Sequence, residues 1–227
     1  MATLYIVATP IGNLSDFSQR AIDTLKNVDY IGCEDTRTSG TLLQHFQIDK
    51  STFSFHQHNE HQKVEYLVDL LNQKKNVALI SDAGMPGISD PGFLAVRAAY
   101  QNGHKVCPVP GPSAVTAAIA ASGLPSDRFL FEGFLPQKKG RQTKIKEIAD
   151  AEITTVIYES PYRVVKLLNG LAEFCEDTRW ICVAREITKK FEEIDRGQLS
   201  EIVERWSLKS SIKGEFLIII AGKDYEE

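Results

Sequence analysis

Cysteine is scarce and scattered in this chain, with four in 227 residues, at positions 33, 107, 175 and 182, and no C-x-x-C spacing. That excludes a disulfide framework and a cysteine-built zinc site. Three of them, Cys33, Cys107 and Cys182, fall in apolar runs, where a free buried thiol is the expectation. No apolar run is longer than Phe216 to Ala221, far short of the roughly 20 residues that span a bilayer. The start, Met1-Ala2-Thr3-Leu4-Tyr5, lacks the basic region and cleavage site of a signal peptide. A soluble, cytoplasmic protein of a reducing compartment, with no membrane partner, is expected. Gly-x-Gly is also missing throughout, and Gly222-Lys223 leads to Asp224 rather than Ser or Thr. Neither a dinucleotide fingerprint nor a phosphate loop is present, which argues against a phosphate-bearing cofactor. With 26 basic against 30 acidic residues, net charge -4, a globally basic nucleic-acid binder is excluded but a local basic patch is not.

What is present is an ordinary globular balance, 43% hydrophobic and 25% charged. Strand-like runs at Leu4 to Ala8, Tyr30 to Cys33, Val77 to Ile80 and Lys105 to Val109 alternate with helical patterns near Phe17 to Asn27, Glu60 to Lys74 and Phe93 to Asn102. Val64, Leu67, Val68 and Leu71 share one face of the second of these helices. Gly103 is placed to end the third. Ser113 to Ser122 reads as an alanine-rich helix that must pack closely. The turn-rich stretches Gly123 to Asp127 and Gly133 to Pro136 then interrupt the pattern. The alternation resumes with helices over 141–150, 163–174 and 199–206 and strands over 155–158, 180–184 and 216–221. Continuously apolar strands between helices predict an α/β fold with sheets covered on both faces. The expected division is 1–110 and 111–227.

In α/β sheets ligands sit beyond the carboxyl ends of strands. The loop after the Val77 strand, Ser81-Asp82-Ala83-Gly84-Met85-Pro86-Gly87-Ile88-Ser89-Asp90-Pro91-Gly92, holds three glycines and two prolines. Such a stiff irregular backbone presents its own N–H and C=O groups at close range. Asp90 is positioned to cap the next helix. A second rigid turn, Pro110-Gly111-Pro112-Ser113-Ala114, follows the Lys105 strand. Two such turns at neighbouring strand ends outline a pocket for a mostly uncharged small molecule held through backbone.

Three charged clusters compete for a role. His56-Gln57-His58-Asn59-Glu60-His61 is one carboxylate away from the H-x-H-x-D-H of binuclear metallohydrolases, but only His104 remains downstream, so no metal site is expected. Lys138-Lys139-Gly140-Arg141-Gln142-Thr143-Lys144-Ile145-Lys146 carries five cations and no acid, reading either as a solvated helix face or as phosphate contacts on RNA. Glu34-Asp35-Thr36-Arg37 closes a strand and reads either as a helix cap with a surface ion pair or as active-site charge.

T-P-I-G-N-L-x-D, E-D-T-R, S-D-A-G-M-P-x-I-S-D-P-G, P-G-P-S-A, Y-E-S-P-Y-R, A-R-E-I-T-K and K-G-E-F together resemble one family over residues 3 to about 222. It is that of the bacterial 16S ribosomal RNA ribose 2′-O-methyltransferases of the small subunit methyltransferase I type, which act on a decoding-centre cytidine and have the tetrapyrrole-methylase fold. The loop at 81–92 is highly specific, and E-D-T-R and Phe134 to Lys138 separate the ribosomal RNA branch from relatives acting on corrin rings. The resemblance implies two α/β domains, S-adenosylmethionine in the cleft between them, a homodimer, and 16S ribosomal RNA or the small subunit as partner. It places the cofactor against Pro10, Ile11, Asp82, Ala83, Met85, Ile88, Ser113 and Ala114, and from the second domain Tyr158, Ala184 and Glu215 in the Gly214-Glu215-Phe216 stretch. Glu34, Asp35 and Arg37 become the catalytic candidates, with no residue announcing itself as the base that a poorly acidic ribose hydroxyl needs. Arg37, His58, Asn59, Lys138, Lys139, Arg141 and Arg163 become the RNA contacts. Members of that family often carry a further helical segment after the last strand, where this sequence ends at Glu227.

Overall fold

A computed structural model describes residues 2–227 of the chain. They form two compact units that divide after Ser113. The first contains β1 (Thr3–Val7), α1 (Gln19–Asn27), β2 (Tyr30–Cys33), α2 (Thr36–His45), β3 (Ser51–Ser54), α3 (Glu60–Asn72), β4 (Val77–Ile80), α4 (Phe93–Gln101) and β5 (Lys105–Val109). Its sheet runs β3-β2-β4-β1-β5 and every pairing is parallel, so all five carboxyl ends lie along one edge.

The side-chain alternation along these strands builds two cores. Val7, Ile31, Cys33, Ala78 and Ile80 pack with Ala21, Ile22 and Leu25 of α1 and Leu43 of α2. Leu4, Ile6, Val77 and Leu79 pack with Leu67, Leu70 and Leu71 of α3 and Ala95 and Ala99 of α4. The helices after β1 and β2 therefore cover one face and those after β3 and β4 the other. The chain reverses its winding between the adjacent strands β1 and β4, and their loops leave toward opposite faces. That is where open parallel sheets make a binding crevice. Helix α4 ends as expected, with Gly103 in the left-handed region (φ 72°). His104 N–H donates to Ala99 C=O and Gly103 N–H to Tyr100 C=O.

The second unit contains α5 (Ala114–Ala121), β6 (Phe129–Phe134), α6 (Arg141–Ala149), β7 (Thr154–Glu159), α7 (Val164–Ala172), β8 (Trp180–Arg185), β9 (Glu193–Gln198), α8 (Leu199–Ser207) and β10 (Phe216–Ile220). Its sheet runs β6-β7-β10-β8-β9, with β6 and β7 parallel and the remaining neighbours antiparallel. Ile157, Ile181, Val183, Phe216, Ile218 and Ile220 pack against α6, α7 and α8, with Trp206 fully buried. The alanine-rich α5 packs against β10, which its small side chains permit. The ends of β6, β7 and β8 and the start of β10 share one edge of this sheet.

Candidate functional site

Four loops of the first unit meet at the carboxyl edge of its sheet. Thr9, just beyond β1, exchanges backbone hydrogen bonds with Gly84: Thr9 N–H to Gly84 C=O at 2.9 Å, and the reverse at 3.1 Å. The Thr9 hydroxyl donates to Ser81 C=O at 3.1 Å, and the Ser81 hydroxyl to Gly84 C=O at 3.2 Å. This bridge spans the switch point between β1 and β4. Gly84 has φ +83°, and a methyl group there would sit 3.4 Å from Ile11 Cγ2 and 3.7 Å from the Pro112 carbonyl. The loops after β1, β4 and β5 therefore converge on one small backbone-walled space. Pro10 and Ile11 are buried, Met85 is half-buried, Asp82, Ala83 and Ile88 are exposed, and Ser113 and Ala114 are half-buried.

The loop after β2 is laced to the same loop by carboxylates. Asp35 N–H donates to Asp82 Oδ1 at 3.1 Å, and Asp82 N–H to Glu34 Oε2 at 3.2 Å. Asp35 caps α2, accepting from Arg37 N–H at 2.8 Å, and its two oxygens accept from the Nε and Nη2 edge of the Arg37 guanidinium at 3.1 and 2.7 Å. Those hydrogen bonds hold the Asp35 carboxyl down at about 2. The cap reading of E-D-T-R is the one this geometry shows: Asp35 is the cap and holds the exposed Arg37 in a surface ion pair. The other carboxyls go the opposite way. Burial, above all, raises Glu34 and Asp82. Asp90 is pushed up to about 7, chiefly by burial, then by the Glu34 charge, with the Ser81 hydroxyl pulling the other way.

Asp90 differs from its expected role. The cap residue of α4 is Gly92, and the side chain that serves the helix comes from α3: Glu60 Oε1 accepts from Gly92 N–H at 3.1 Å and Leu94 N–H at 3.2 Å. That leaves Asp90 as a half-buried acid near neutrality among other carboxylates, an arrangement suited to taking up a proton. The sequence signal for it is the acid itself, which reads as a cap because it lies three residues before the helix.

Glu60, committed to that helix, takes the central carboxylate out of the histidine cluster. His104 lies apart, with Nε2 3.0 Å from Asn72 Oδ1. Among the described residues no three His, Cys, Asp or Glu side chains gather closely enough to hold a metal ion. His58 is exposed. Asn59, expected on RNA, is turned into its own turn, accepting from His56 N–H at 2.8 Å and donating to Ser54 C=O at 3.3 Å.

In the second unit Tyr158 and Ala184 flank the strand that follows Glu215, because Leu217 of β10, two residues after Glu215, is paired with Tyr158 on one side and Ala184 on the other. Ala184 is wholly buried, so its side chain is core. Glu215 is exposed and pairs with Lys189 at 2.9 Å. Its N–H donates to Glu186 Oε1 at 2.9 Å, and Glu186 N–H donates to its carbonyl. A methyl group on Gly214 (φ +103°) would lie 2.5 Å from Glu186 Cγ, so glycine is what lets this stretch close on Glu186.

Two expected RNA contacts are corrected here. Arg141 is only 5% exposed and its guanidinium meets the fully buried Glu159 at 2.7 Å. Arg163 meets the other oxygen of that carboxylate at 2.8 Å, and Ser160 N–H donates to the same oxygen. A carboxylate buried without partners is costly, so the two arginines are committed to it. They pin the loops after β6 and β7 together rather than reaching a phosphate. Lys138 and Lys139 remain exposed.

Residues 3–203 match the family model of the tetrapyrrole (corrin/porphyrin) methylases. A ribosomal RNA small subunit methyltransferase I of Vibrio cholerae is 49% identical over 96% of this chain and 77% of that protein. One of Synechocystis is 46% identical over 100% of this chain and 81% of its own length. Among solved structures, the methyltransferase CobJ superposes with a TM-score of 0.72 at 16% identity, covering 100% of this chain and 97% of that one. At that identity the likeness concerns the fold alone.

Proposed function

Because the chain belongs to the ribosomal RNA small subunit methyltransferase I family of the tetrapyrrole methylases, and is a methyltransferase, we propose that it methylates the ribose 2′-oxygen of a cytidine in 16S ribosomal RNA. The carrying observation is the convergence of Ile11, Gly84 and Pro112 at the switch point, in a chain nearly half identical to enzymes of that name. S-adenosylmethionine, when bound, supplies an electrophilic sulfonium methyl. The donor set suits it: a phosphate-free ligand asks for backbone amides and apolar walls, and Pro10, Ile11, Ala83, Met85, Ile88, Ser113 and Ala114 would hold it. Tyr158 and the Glu215 stretch would contribute from the second unit. No metal is needed in this reading, which places the protein in the cytoplasm as a homodimer.

The chemistry asked of the side chains is modest. The 2′-hydroxyl must be held in line and must lose its proton as the new O–C bond forms. Asp90, titrating near neutrality, takes that proton, its proton affinity kept high by burial first and then by the charges of Glu34 and Asp82. Arg37, outward on Asp35, meets backbone phosphate. The test is methylation of small ribosomal subunits followed by nuclease digestion and mass mapping. The expected product is 2′-O-methylcytidine, and a methyl on a base or on no nucleotide overturns the reading. With Asp90→Asn, turnover falls by about 10²–10⁴ and the loss of rate below pH about 7 disappears.

A further inference from the structure

The end of β6 and the loop after β7 expose two large aromatic side chains close to the basic segment in sequence. Phe134, the last residue of β6, is 58% exposed, and Tyr162, between β7 and α7, is 94% exposed. Phe134 does not stand alone. Its ring stacks on Tyr158, its register partner on β7, at 5.3 Å between centroids and 28° between planes. Tyr158 is in turn held edge-on by Phe131 at 5.3 Å. One face of Phe134 is thus backed by a fixed tier of rings while the side chain remains largely open. The loops that carry these rings are pinned by Arg141 and Arg163 on the buried Glu159. The exposed Lys138 and Lys139 follow shortly after Phe134. Lys138 also borders a groove between α6 and α7 that is lined by Gln142, Lys166 and Asn169.

A rigid ring with neighbouring cations, and amide side chains further along, suits an unpaired nucleotide strand: the base stacks, lysines meet phosphate, and amides bond to base edges. An acidic protein partner would satisfy the lysines, but only a nucleotide strand brings an anionic phosphate next to every planar base, which is the pairing of ring and cation that this loop offers. We propose that Phe134, backed by Tyr158, is a stacking platform for an unstacked base of the RNA acceptor, with Tyr162 on the loop of the neighbouring strand and Lys138 and Lys139 holding the adjoining phosphates. This rests on the ribosomal RNA reading given above and adds to it the residue that receives a base. Because Tyr158 belongs to the expected cofactor surface, a base on Phe134 would lie one ring away from it.

The test pairs Phe134→Leu, which removes the ring, with Phe134→Trp, which keeps one. The probe is a short single-stranded RNA carrying pyrrolocytosine, a cytidine analogue whose fluorescence is quenched by stacking. Quenching is expected with the wild type and with Phe134→Trp and lost with Phe134→Leu, whose KM for small ribosomal subunits rises about tenfold or more. An unchanged thermal midpoint shows the fold is intact. If Phe134→Leu still quenches and methylates with the wild-type KM, the platform is overturned while the function stands. A change of oligomeric state in sedimentation with quenching unaltered also overturns it, because a second copy of the chain would then cover the ring. If the wild type itself does not methylate subunits, the ribosomal RNA reading fails and the platform fails with it.

Discussion

The first unit secures the loops at its strand ends with backbone: Thr9 and Gly84 exchange main-chain hydrogen bonds, and Ile11 and Pro112 border the space that a side chain on Gly84 would fill. The second secures its corresponding loops with charge: the buried Glu159 holds Arg141, Arg163 and Ser160 N–H, while the partly buried Glu186 closes on Glu215. The difference follows from the strands. In the all-parallel sheet, chain direction brings the ends of β1, β4 and β5 to one edge, where the loops after β1 and β4 join main chain to main chain. In the mixed sheet the loops after β6 and β7 run on to helices α6 and α7, and a fully buried carboxylate draws a side chain from each. Compensation separates the units too: Glu159 is buried with two cations, whereas Asp90 is half-buried among acids.

The largest effect should come from breaking the charged lock. Arg141→Ala leaves Glu159 buried with one cation fewer, and losing a partner of a buried pair costs about 3–5 kcal/mol. Denaturant unfolding should show a loss of that order. A loss below about 1 kcal/mol would mean that Arg163 suffices. Gly84→Val attacks the backbone lock. A β-branched residue at φ +83° carries strain of about 1–3 kcal/mol and fills the space against Ile11. Calorimetry should find S-adenosylhomocysteine binding weakened at least tenfold, and unchanged binding would place the cofactor elsewhere.

The uncompensated acid gives a smaller, pH-dependent effect. The Asp90 carboxyl titrates near 7 in the folded chain and near 3.8 when unfolded. The folded state therefore holds a proton that the unfolded state has lost between those values. Stability falls as pH rises from about 4 to 7, then levels off. Asp90→Asn should remove this slope. Three units correspond to about 4 kcal/mol, which solvent screening of a half-buried group reduces to about 1–2. The variant should thus be more stable than wild type at pH 8 and nearly equal to it at pH 4. Thermal midpoints across that range decide, and parallel curves would show that Asp90 is not held near neutrality.

The sequence makes the first unit's lock legible and hides the second's. Glycine and proline announce a constrained backbone wherever they cluster, so the loop at 81–92 stands out. Lys138, Lys139 and Arg141 look alike in a string, and only the fold turns Arg141 inward. The strands that the sequence pattern does not predict, β6 and β9, both lie at sheet edges, as does β3. Ser51–Ser54 and Glu193–Gln198 lack the continuous apolar run of a strand covered on both faces. The capping of α4 by Glu60 is invisible in the sequence because its donors lie 32 and 34 residues away.

The smallest effect sharpens the contrast within the basic segment itself. Lys138 and Lys139 are exposed and carry no part of the lock, so Lys138→Glu with Lys139→Glu should leave the thermal midpoint unchanged. Every phosphate that a lysine no longer neutralises lowers the salt slope of RNA binding by about one unit, so the pair should lower it by about two. At physiological salt that corresponds to weakening of about tenfold, or about 1.4 kcal/mol, with charge reversal adding repulsion that alanine would not. Affinity for S-adenosylmethionine should stay within about threefold, because no loop of the first unit is touched. Filter binding of 16S ribosomal RNA across a salt series, run beside Arg141→Ala, separates the two kinds of cation. Arg141→Ala should lose stability while keeping the wild-type slope in conditions where it stays folded, and the double lysine variant should do the reverse. If the lysine variant keeps the full slope, the phosphates are held elsewhere and the segment is a solvated helix face.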